Sequence, residues 1–301
     1  VDALRKSNVN IDKKEFSVKN LFLHPSVEMF SDYVAKIRRA EFVIPMNELR
    51  RDRGNLFCLH EGTGMVFGYL PIAQRLNGRV NVYGVACRTL LNPMHRDAEI
   101  VQMANDYAEK IMATCPGPYN LLGWSLGGAL AVLIAGRLKQ AGQEINFIGL
   151  VDPTINDVRV DNVNPLDGPW IDMCGILLNK GSGLYNKAIN MDREIPVLDR
   201  INLLCKDDEW KLNGGSVGVS KDDCFSLYSC QENISSMKIN FDFFGAVKGL
   251  GRIALWASSE YRWNLSNVFD DEVLMFKEIK SSHIDIIKNE DLMSDIFYMN
   301  L

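Results

Sequence analysis

The stretch Leu121-Leu122-Gly123-Trp124-Ser125-Leu126-Gly127-Gly128 contains the pattern G-x-S-x-G. The apolar residues Tyr119–Trp124 predict a strand before the serine, and small residues up to about Lys139 predict a helix after it. A serine at such a sharp turn from strand to helix is a nucleophile elbow, whose flanking glycines are needed because the backbones approach too closely for a Cβ atom. Ser125 is therefore the candidate nucleophile.

Strands and helices alternate on both sides of this motif. Short apolar runs at Asn55–Leu59, Val80–Val85 and Ile145–Val151 predict strands, and an apolar stripe that begins at Ile100 predicts an amphipathic helix. This alternation predicts an α/β fold in which helices cover both faces of a mainly parallel sheet.

The alternation stops after Asp152 and resumes with the predicted strands Arg252–Ala257 and Glu272–Ile279. The residues between, from about 157 to 245, contain short helical patterns and glycine-rich breaks. We expect this helical insertion to form a lid. The alternative is a subdomain whose apolar residues pack only on each other. The candidates to line a substrate channel are Trp170, Met173, Leu177 and Trp210.

A serine hydroxyl needs a base that takes its proton, and the sequence has four histidines. His24, His60 and His95 precede the candidate serine. Only His283 follows it, after the last predicted strand, and so fits the order serine, acid, histidine of the α/β hydrolases. We expect His283 to be the base and the other three to have structural or surface roles.

The acid that orients the histidine is expected at a strand end between the serine and the histidine. Asp152 ends a clear apolar strand and would lie at the same sheet edge as the nucleophile. Asp270 or Asp271, which follow the next predicted strand, are the competing positions. We favour Asp152 because the strand before it is better defined.

Two main-chain N–H groups are needed to stabilise the oxyanion that forms when the serine attacks. Leu126, directly after the serine, would supply one. The glycine-rich segment His60–Gly64 follows an early strand, and we expect Gly62 to supply the other. The same segment also fits an ordinary tight turn, and it lacks the phosphate-binding pattern G-x-x-x-x-G-K-[ST].

Composition excludes several function classes. The 301 residues carry a net charge of −5 and are 47% hydrophobic, which is typical of globular proteins. No long basic run would neutralise nucleic-acid phosphates, and no apolar run has the length of a membrane span. The seven cysteines are scattered without a C-x-x-C pair, which indicates reduced thiols, and we expect no metal ion. We therefore expect a cytoplasmic protein that binds neither nucleic acid nor membrane. Because the chain begins with Val1 and not with Met, we also expect it to be a segment of a longer polypeptide.

Residues 55–152 resemble the thioesterase domains that end nonribosomal peptide synthetases. The most specific match is the run Gly-Pro-Tyr-x-Leu-x-Gly-Trp-Ser-x-Gly-Gly at residues 117–128. The other shared stretches are Leu59-His60-Glu61-Gly62-Thr63-Gly64, Val82-Tyr83-Gly84-Val85 and Gly149-Leu150-Val151-Asp152. In that family the acid follows this last strand, which implies Asp152. Glu61 stands where the family usually has proline, and Ser281 and Ser282 stand where it commonly has glycines.

The resemblance also covers the start of the chain. Residues 1–38 look like the last helices of a peptidyl carrier protein and a linker, so that residues 42–301 would be the thioesterase domain. Carrier proteins hold their cargo on phosphopantetheine attached to a serine in a Gly-Gly-x-Ser motif, and this motif does not occur here. The resemblance implies that the domain binds no cofactor of its own and receives a peptidyl thioester from an upstream carrier domain of the same polypeptide.

The activity that the resemblance implies is release of a peptidyl chain through an acyl-O-Ser125 intermediate. Water would give a linear acid, and an internal amine or hydroxyl would give a macrocycle. A free-standing serine esterase or lipase is an alternative, which the run at residues 117–128 and the carrier-like start argue against. A hydrolase-like docking module without activity is a third possibility, which the complete set of catalytic residue types argues against.

Overall fold

A computed structural model of the protein describes residues 42–155, 168–213, 219–260, 273–299 and 301. Within these ranges the chain forms one sheet of seven strands in the order β1-β3-β2-β4-β5-β6-β7. β1 pairs with β3 in the antiparallel direction, and all other neighbouring strands are parallel. The strands are β1 (Val43–Pro45), β2 (Gly54–Leu59), β3 (Val80–Val85), β4 (Tyr119–Trp124), β5 (Ile145–Val151), β6 (Ile253–Ser258) and β7 (Val273–Ile279).

The described ranges also contain eleven α-helices. They are α1 (Leu70–Arg75), α2 (Arg88–Leu91), α3 (Ile100–Thr114), α4 (Leu126–Gln140), α5 (Gly168–Leu177), α6 (Gly183–Ile189), α7 (Val197–Lys206), α8 (Asp208–Asn213), α9 (Lys221–Ser236), α10 (Phe243–Val247) and α11 (Glu290–Tyr298). Short 3-10 helices occur at Phe67–Tyr69 and Ile286–Lys288.

The strands form where the sequence has short, continuous apolar runs. Every residue of β3 and β6 is buried, which is the pattern of a strand that is covered on both faces. The strands predicted for β3, β4 and β5 have the observed bounds, and the α/β fold with a mainly parallel sheet is confirmed. β1 was not predicted because three residues are too few to show a periodicity.

The chain divides into two compact units, and the larger one, the sheet unit, contains all seven strands. Its described residues are 42–87, 96–155, 236–260, 273–299 and 301. α3 buries a stripe that includes Ile100, Ala104 and Ile111, as its 3.6-residue periodicity predicts. α4 buries small and apolar residues over most of its surface, and its sequence from Leu126 to Gly136 accordingly contains no polar side chain.

The smaller unit, the helical unit, has the described residues 88–95, 168–213 and 219–235. Its helices α5–α9 lie between β5 and β6 in the sequence, where the pattern predicts a helical insertion. In its interior the Trp170 indole N–H donates to the carbonyl oxygen of Ala188 at 2.9 Å, and the Arg200 guanidinium lies 4.6 Å from the centroid of the same ring. The helical unit therefore has a core of its own.

Some predicted features lie outside the described residues. These are the carrier-like segment 1–38, the alternative acids Asp270 and Asp271, and the glycine-rich break at 214–215. The predicted lid, 157–245, overlaps the helical unit, which ends at Ser235, whereas α10 belongs to the sheet unit.

All seven cysteines are free thiols, and five of them are buried. In the part of the chain that the structure describes, no helix combines the length and the apolar composition needed to cross a membrane. The same residues contain no group of three or more His, Cys, Asp and Glu side chains arranged to hold a metal ion.

Candidate active site

Ser125 lies at the sharp turn between β4 and α4 and has a strained backbone, with φ of 56° and ψ of −123°. This left-handed φ is uncommon for a residue with a side chain. The glycines of the motif are required by space: a Cβ at Gly123 would overlap the carbonyl oxygen of Gly127, and one at Gly127 would overlap the carbonyl oxygen of Leu59. The turn therefore has the geometry of a nucleophile elbow.

Three side chains form a continuous hydrogen-bonded chain at this turn. His283 Nε2 lies 3.1 Å from Ser125 Oγ, and His283 Nδ1 lies 3.1 Å from Asp152 Oδ2. Because the ionised carboxylate only accepts hydrogen bonds, Nδ1 carries the imidazole proton and Nε2 offers its lone pair to the serine hydroxyl. This is the tautomer in which a histidine can remove the serine proton.

Asp152 is held in place by the main chain of the neighbouring strand. Its side chain is fully buried, and its Oδ1 accepts the N–H of Ser258 at 2.6 Å. Its own N–H donates to the carbonyl oxygen of Trp256 at 2.8 Å. A buried carboxylate needs such partners for both oxygens, and here one oxygen is bound by β6 and the other by His283.

The register of the sheet brings these residues together. In the β4–β5 pair Trp124 lies opposite Val151, so that Ser125 and Asp152 each follow a paired residue at the carboxyl edge. The Ser125 N–H donates to the carbonyl oxygen of Val151 at 3.0 Å, which fixes the two strand ends against each other. The structure thus places Ser125, Asp152 and His283 together, and their catalytic roles remain a prediction.

The two predicted oxyanion donors follow adjacent parallel strands. Leu59 of β2 lies opposite Gly123 of β4, and Gly62 and Leu126 each come three residues after this pair. Leu126 is the first residue of α4, where N–H groups of the first turn lack partners within the helix. Around Gly62 there is open space, since an added Cβ would meet no atom within 4 Å. The donor roles of both residues remain a prediction.

Glu61, at the position where the thioesterase family usually has proline, forms side-chain hydrogen bonds within the loop that contains Gly62. Its carboxylate accepts the N–H of Thr63 at 2.7 Å and also binds the Thr63 hydroxyl. Burial raises the pKa of Glu61, against the opposing effects of the Thr63 hydrogen bonds and of nearby His60 and His283. The loop around Gly62 therefore contains a carboxyl group whose ionisation is disfavoured.

His60 has a structural role. The side chain is buried, its Nδ1–H donates to the carbonyl oxygen of Glu61 at 2.9 Å, and its Nε2 lies 3.0 Å from the Tyr107 hydroxyl. Both ring nitrogens of His60 thus have hydrogen-bond partners other than Ser125.

Tyr69 is a residue that the sequence reasoning missed. Its buried hydroxyl donates to the carbonyl oxygen of Leu59 at 2.7 Å and accepts the N–H of Trp124 at 2.7 Å. It thereby joins the ends of β2 and β4, the two strands that lead to the predicted oxyanion donors. Burial raises the pKa of Tyr69 well above its ordinary value, so the phenol keeps the proton that it donates. A single tyrosine in a loop carries no sequence signal for this role.

The four predicted channel residues lie in the helical unit. Trp170, Met173 and Trp210 are buried, and Leu177 is half-buried. Burial within the unit favours the alternative that the sequence analysis kept open, in which such residues form the core of the insertion. A channel role for them remains a prediction.

The mainly parallel sheet, the nucleophile elbow at the end of β4 and the helices around them define an α/β-hydrolase fold. Within this class, residues 54–168 match the family model of the thioesterase domain. The predicted resemblance to the thioesterase domains of nonribosomal peptide synthetases is confirmed.

Two curated relatives align with less than half of the chain. Malpibaldin synthetase of Mortierella alpina is 33% identical over 119 residues, which are 38% of this chain and 2% of that protein. The dimodular nonribosomal peptide synthase of Bacillus subtilis strain 168 is 29% identical over 141 residues, which are 46% of this chain and 6% of that protein. The chain thus spans a small fraction of the length of these relatives.

A solved structure shares the fold over a longer range. The crystal structure of a four-domain nonribosomal peptide synthetase bound to AMP and glycine aligns with a TM-score of 0.63 and 20% sequence identity. The alignment covers 87% of this chain and 20% of the other. At this level of identity the likeness concerns the fold alone.

Proposed function

We propose that this chain is a serine thioesterase that releases an acyl or peptidyl chain from the phosphopantetheine thioester of a carrier domain in the same polypeptide. The observation that carries the proposal is the hydrogen-bonded chain from Ser125 through His283 to Asp152, with both distances at 3.1 Å. Ser125 and Asp152 lie inside the stretch that matches the thioesterase-domain family.

Acylation begins when His283 Nε2 takes the proton of the Ser125 hydroxyl while Oγ attacks the thioester carbonyl carbon. The N–H groups of Leu126 and Gly62 donate to the oxyanion of the tetrahedral intermediate. Asp152 stabilises the imidazolium that forms. When the carbon–sulfur bond breaks, the leaving thiolate takes the proton from Nε2, and the acyl group remains as an ester on Oγ.

Release of the acyl group repeats the same proton transfers with a different nucleophile. His283 takes a proton from water, or from an amine or hydroxyl at the far end of the acyl chain, and that nucleophile attacks the ester carbonyl. The carbon–Oγ bond then breaks, and Oγ recovers its proton from Nε2. Water gives a linear acid, whereas an internal nucleophile gives a macrocycle.

The test is intact-mass spectrometry of the chain after reaction with an acyl-N-acetylcysteamine thioester. The wild-type chain is expected to gain the mass of the acyl group, and Ser125→Ala is expected to gain none. Ser294→Ala, which removes a hydroxyl from α11, is the matched control and should acylate like the wild type. Acylation of Ser125→Ala would refute the nucleophile assignment.

A comparison of leaving groups tests the substrate class. The same acyl group is offered as an N-acetylcysteamine thioester and as the corresponding oxyester, and the single-turnover rate constants of acylation are compared. A thioesterase is expected to react faster with the thioester. A strong preference for the oxyester would favour a general esterase instead.

A further inference from the structure

Side chains from two other segments bind both polar main-chain groups of His283. The His283 N–H donates to Glu260 Oε2 at 2.9 Å, and its carbonyl oxygen accepts the indole N–H of Trp124 at 3.0 Å. The rings of Trp124 and His283 also contact each other, with centroids 5.7 Å apart and planes tilted by 40°. The main chain of the candidate base is thus fixed from two sides.

Glu260 lies in the turn that begins at Ser259, directly after β6, and residues 258–260 contact both partners of the candidate acid–base pair. Ser258 donates its N–H to Asp152 Oδ1 at 2.6 Å. The Ser259 N–H donates to the carbonyl oxygen of Ile279 at 3.0 Å. The Ser259 hydroxyl donates to the carbonyl oxygen of Ser281 at 3.3 Å. Residues 258–260 therefore connect the acid to the loop that carries the histidine.

We propose that Glu260 is a positioning residue for His283 and that it acts by accepting the His283 main-chain N–H. This inference rests on the proposed function, because it assigns Glu260 a part in the transfer of the Ser125 proton. The imidazole meets Ser125 and Asp152 at 3.1 Å each, and a shift of its main chain would lengthen one or both hydrogen bonds. Displacements of about 1 Å in such an arrangement can cost up to about a hundredfold in rate.

Of the two side chains that bind the His283 main chain, Glu260 is the better one to substitute in a test. The residue is exposed, so that a substitution leaves no cavity in the core, whereas Trp124 precedes the nucleophile and packs against the histidine. The carboxylate has two separable properties: an oxygen that accepts the His283 main-chain N–H, and a negative charge. Gln keeps the oxygen at the same reach without the charge, and Asp keeps the charge on a shorter side chain.

The experiment measures the rate of Ser125 labelling by a fluorophosphonate and the single-turnover acylation by an acyl-N-acetylcysteamine thioester over a pH series. Glu260→Ala and Glu260→Asp are expected to lower the acylation rate constant about tenfold, with little change in KM or Tm. Glu260→Gln is expected to keep at least half of the wild-type rate at the pH optimum. Glu278→Ala, which removes an exposed carboxylate from β7, is the matched control and should react like the wild type.

The outcomes separate this inference from the proposed function. A wild-type chain that no fluorophosphonate labels would refute the proposed function and, with it, the role of Glu260. A labelled wild type with Glu260→Ala within twofold of its rate at every pH would refute the positioning role alone. Glu260→Asp as fast as the wild type and Glu260→Gln as slow as Glu260→Ala would show that the charge, not the position, matters, and would also overturn it.

Discussion

At the carboxyl edge of the sheet unit, the side chains of Ser125, Asp152 and His283 meet at hydrogen-bond distance, whereas in the helical unit Trp170 binds groups within that unit. Asp152, with a fully buried side chain, binds His283, whose side chain is 25% exposed. In the helical unit, buried Arg200 lies against the ring of buried Trp170. The indole N–H of Trp170 donates to the carbonyl oxygen of Ala188. We therefore expect substitutions at the sheet edge to change mainly the acylation rate constant. Substitutions in the helical core should change mainly the free energy of unfolding.

The strongest test of the sheet edge is Asp152→Asn. Asp152 Oδ1 accepts the Ser258 N–H, so the Asn oxygen is expected to take that place and turn its NH₂ group towards His283. Nδ1 would then have to accept, the imidazole proton would move to Nε2, and the serine proton would have no acceptor. We expect the acylation rate constant to fall on the order of 10⁴-fold, as in the best-studied serine triad. Single-turnover acylation and thermal unfolding measure the rate and the fold separately.

Asp271→Asn is the control for this prediction because the sequence analysis kept that position as an alternative acid. The control should react within a few fold of the wild type. A large loss in Asp271→Asn with a nearly silent Asp152→Asn would move the acid to the later position.

The second test compares two glycines of α4. A Cβ at Gly127 would overlap the carbonyl oxygen of Leu59, whereas a Cβ at Gly136 would meet no atom within 4 Å. Gly127→Ala should lower the free energy of unfolding by about 3 kcal/mol, because rigid backbone has to move. Gly136→Ala should raise it by about 0.5 to 1 kcal/mol, since alanine has the higher helix propensity. Urea unfolding measures both.

Equal effects of these two substitutions would contradict the view that the elbow requires glycine at Gly127. Labelling by a fluorophosphonate adds a second readout. The Gly136→Ala chain should be labelled at the wild-type rate, and any folded Gly127→Ala should be labelled more slowly.

The parts of the fold that the sequence predicts are those where local chemistry decides the structure. The strands β3 and β6 are buried on both faces and so appear as apolar runs, and the elbow needs Gly123 and Gly127 at fixed spacing. The order of residues along the chain then selects His283 among four histidines. Such signals survive in a single sequence because each depends on a few neighbouring residues.

The parts that the sequence does not predict depend on contacts between distant segments. Tyr69 joins two strand ends, and Glu260 holds a main-chain group 23 positions away in the sequence. Neither residue has a local pattern that distinguishes it from other polar loop residues. In the helical unit an apolar side chain such as Trp170 fits a channel wall and a core equally well, and only its burial distinguishes the two.

The third test therefore changes the helical core. Trp170→Phe removes the indole N–H that binds Ala188 and part of the surface that contacts Arg200. We expect a loss of about 2 kcal/mol in the free energy of unfolding, because a buried carbonyl loses a partner and the smaller ring leaves space. Fluorophosphonate labelling of Ser125 should stay at the wild-type rate. Leu177→Ala, at a half-buried position of the same helix, should cost less stability.

A different result would change the comparison between the two units. If Trp170→Phe left the stability unchanged but altered the ratio of linear to cyclic product from a long peptidyl thioester, Trp170 would be a channel residue. Such a result would support the predicted lid function, although Trp170 is buried.

The smallest expected effect concerns the pH dependence of stability at Glu61. Burial raises the pKa of this carboxyl in the folded chain above its ordinary value of 4.5, so the folded chain holds the proton more tightly than the unfolded chain. Between the ordinary and the raised pKa the folded state binds more protons, and stability therefore falls as pH rises through this window. Glu61→Gln has no such proton, so its Tm relative to the wild type should rise from pH 4 upwards and become constant above the raised pKa.

Thermal unfolding of both chains from pH 4 to pH 8 measures this difference, in which the contributions of titrating groups that do not interact with Glu61 cancel. Glu144→Gln removes a carboxylate from an exposed position and serves as the control. Gln keeps one oxygen that can accept from Thr63, so the loop itself should persist. If the curve for Glu61→Gln ran parallel to the control, burial would not be disfavouring the carboxylate, and the loop beside Gly62 would be more open to water than its hydrogen bonds indicate.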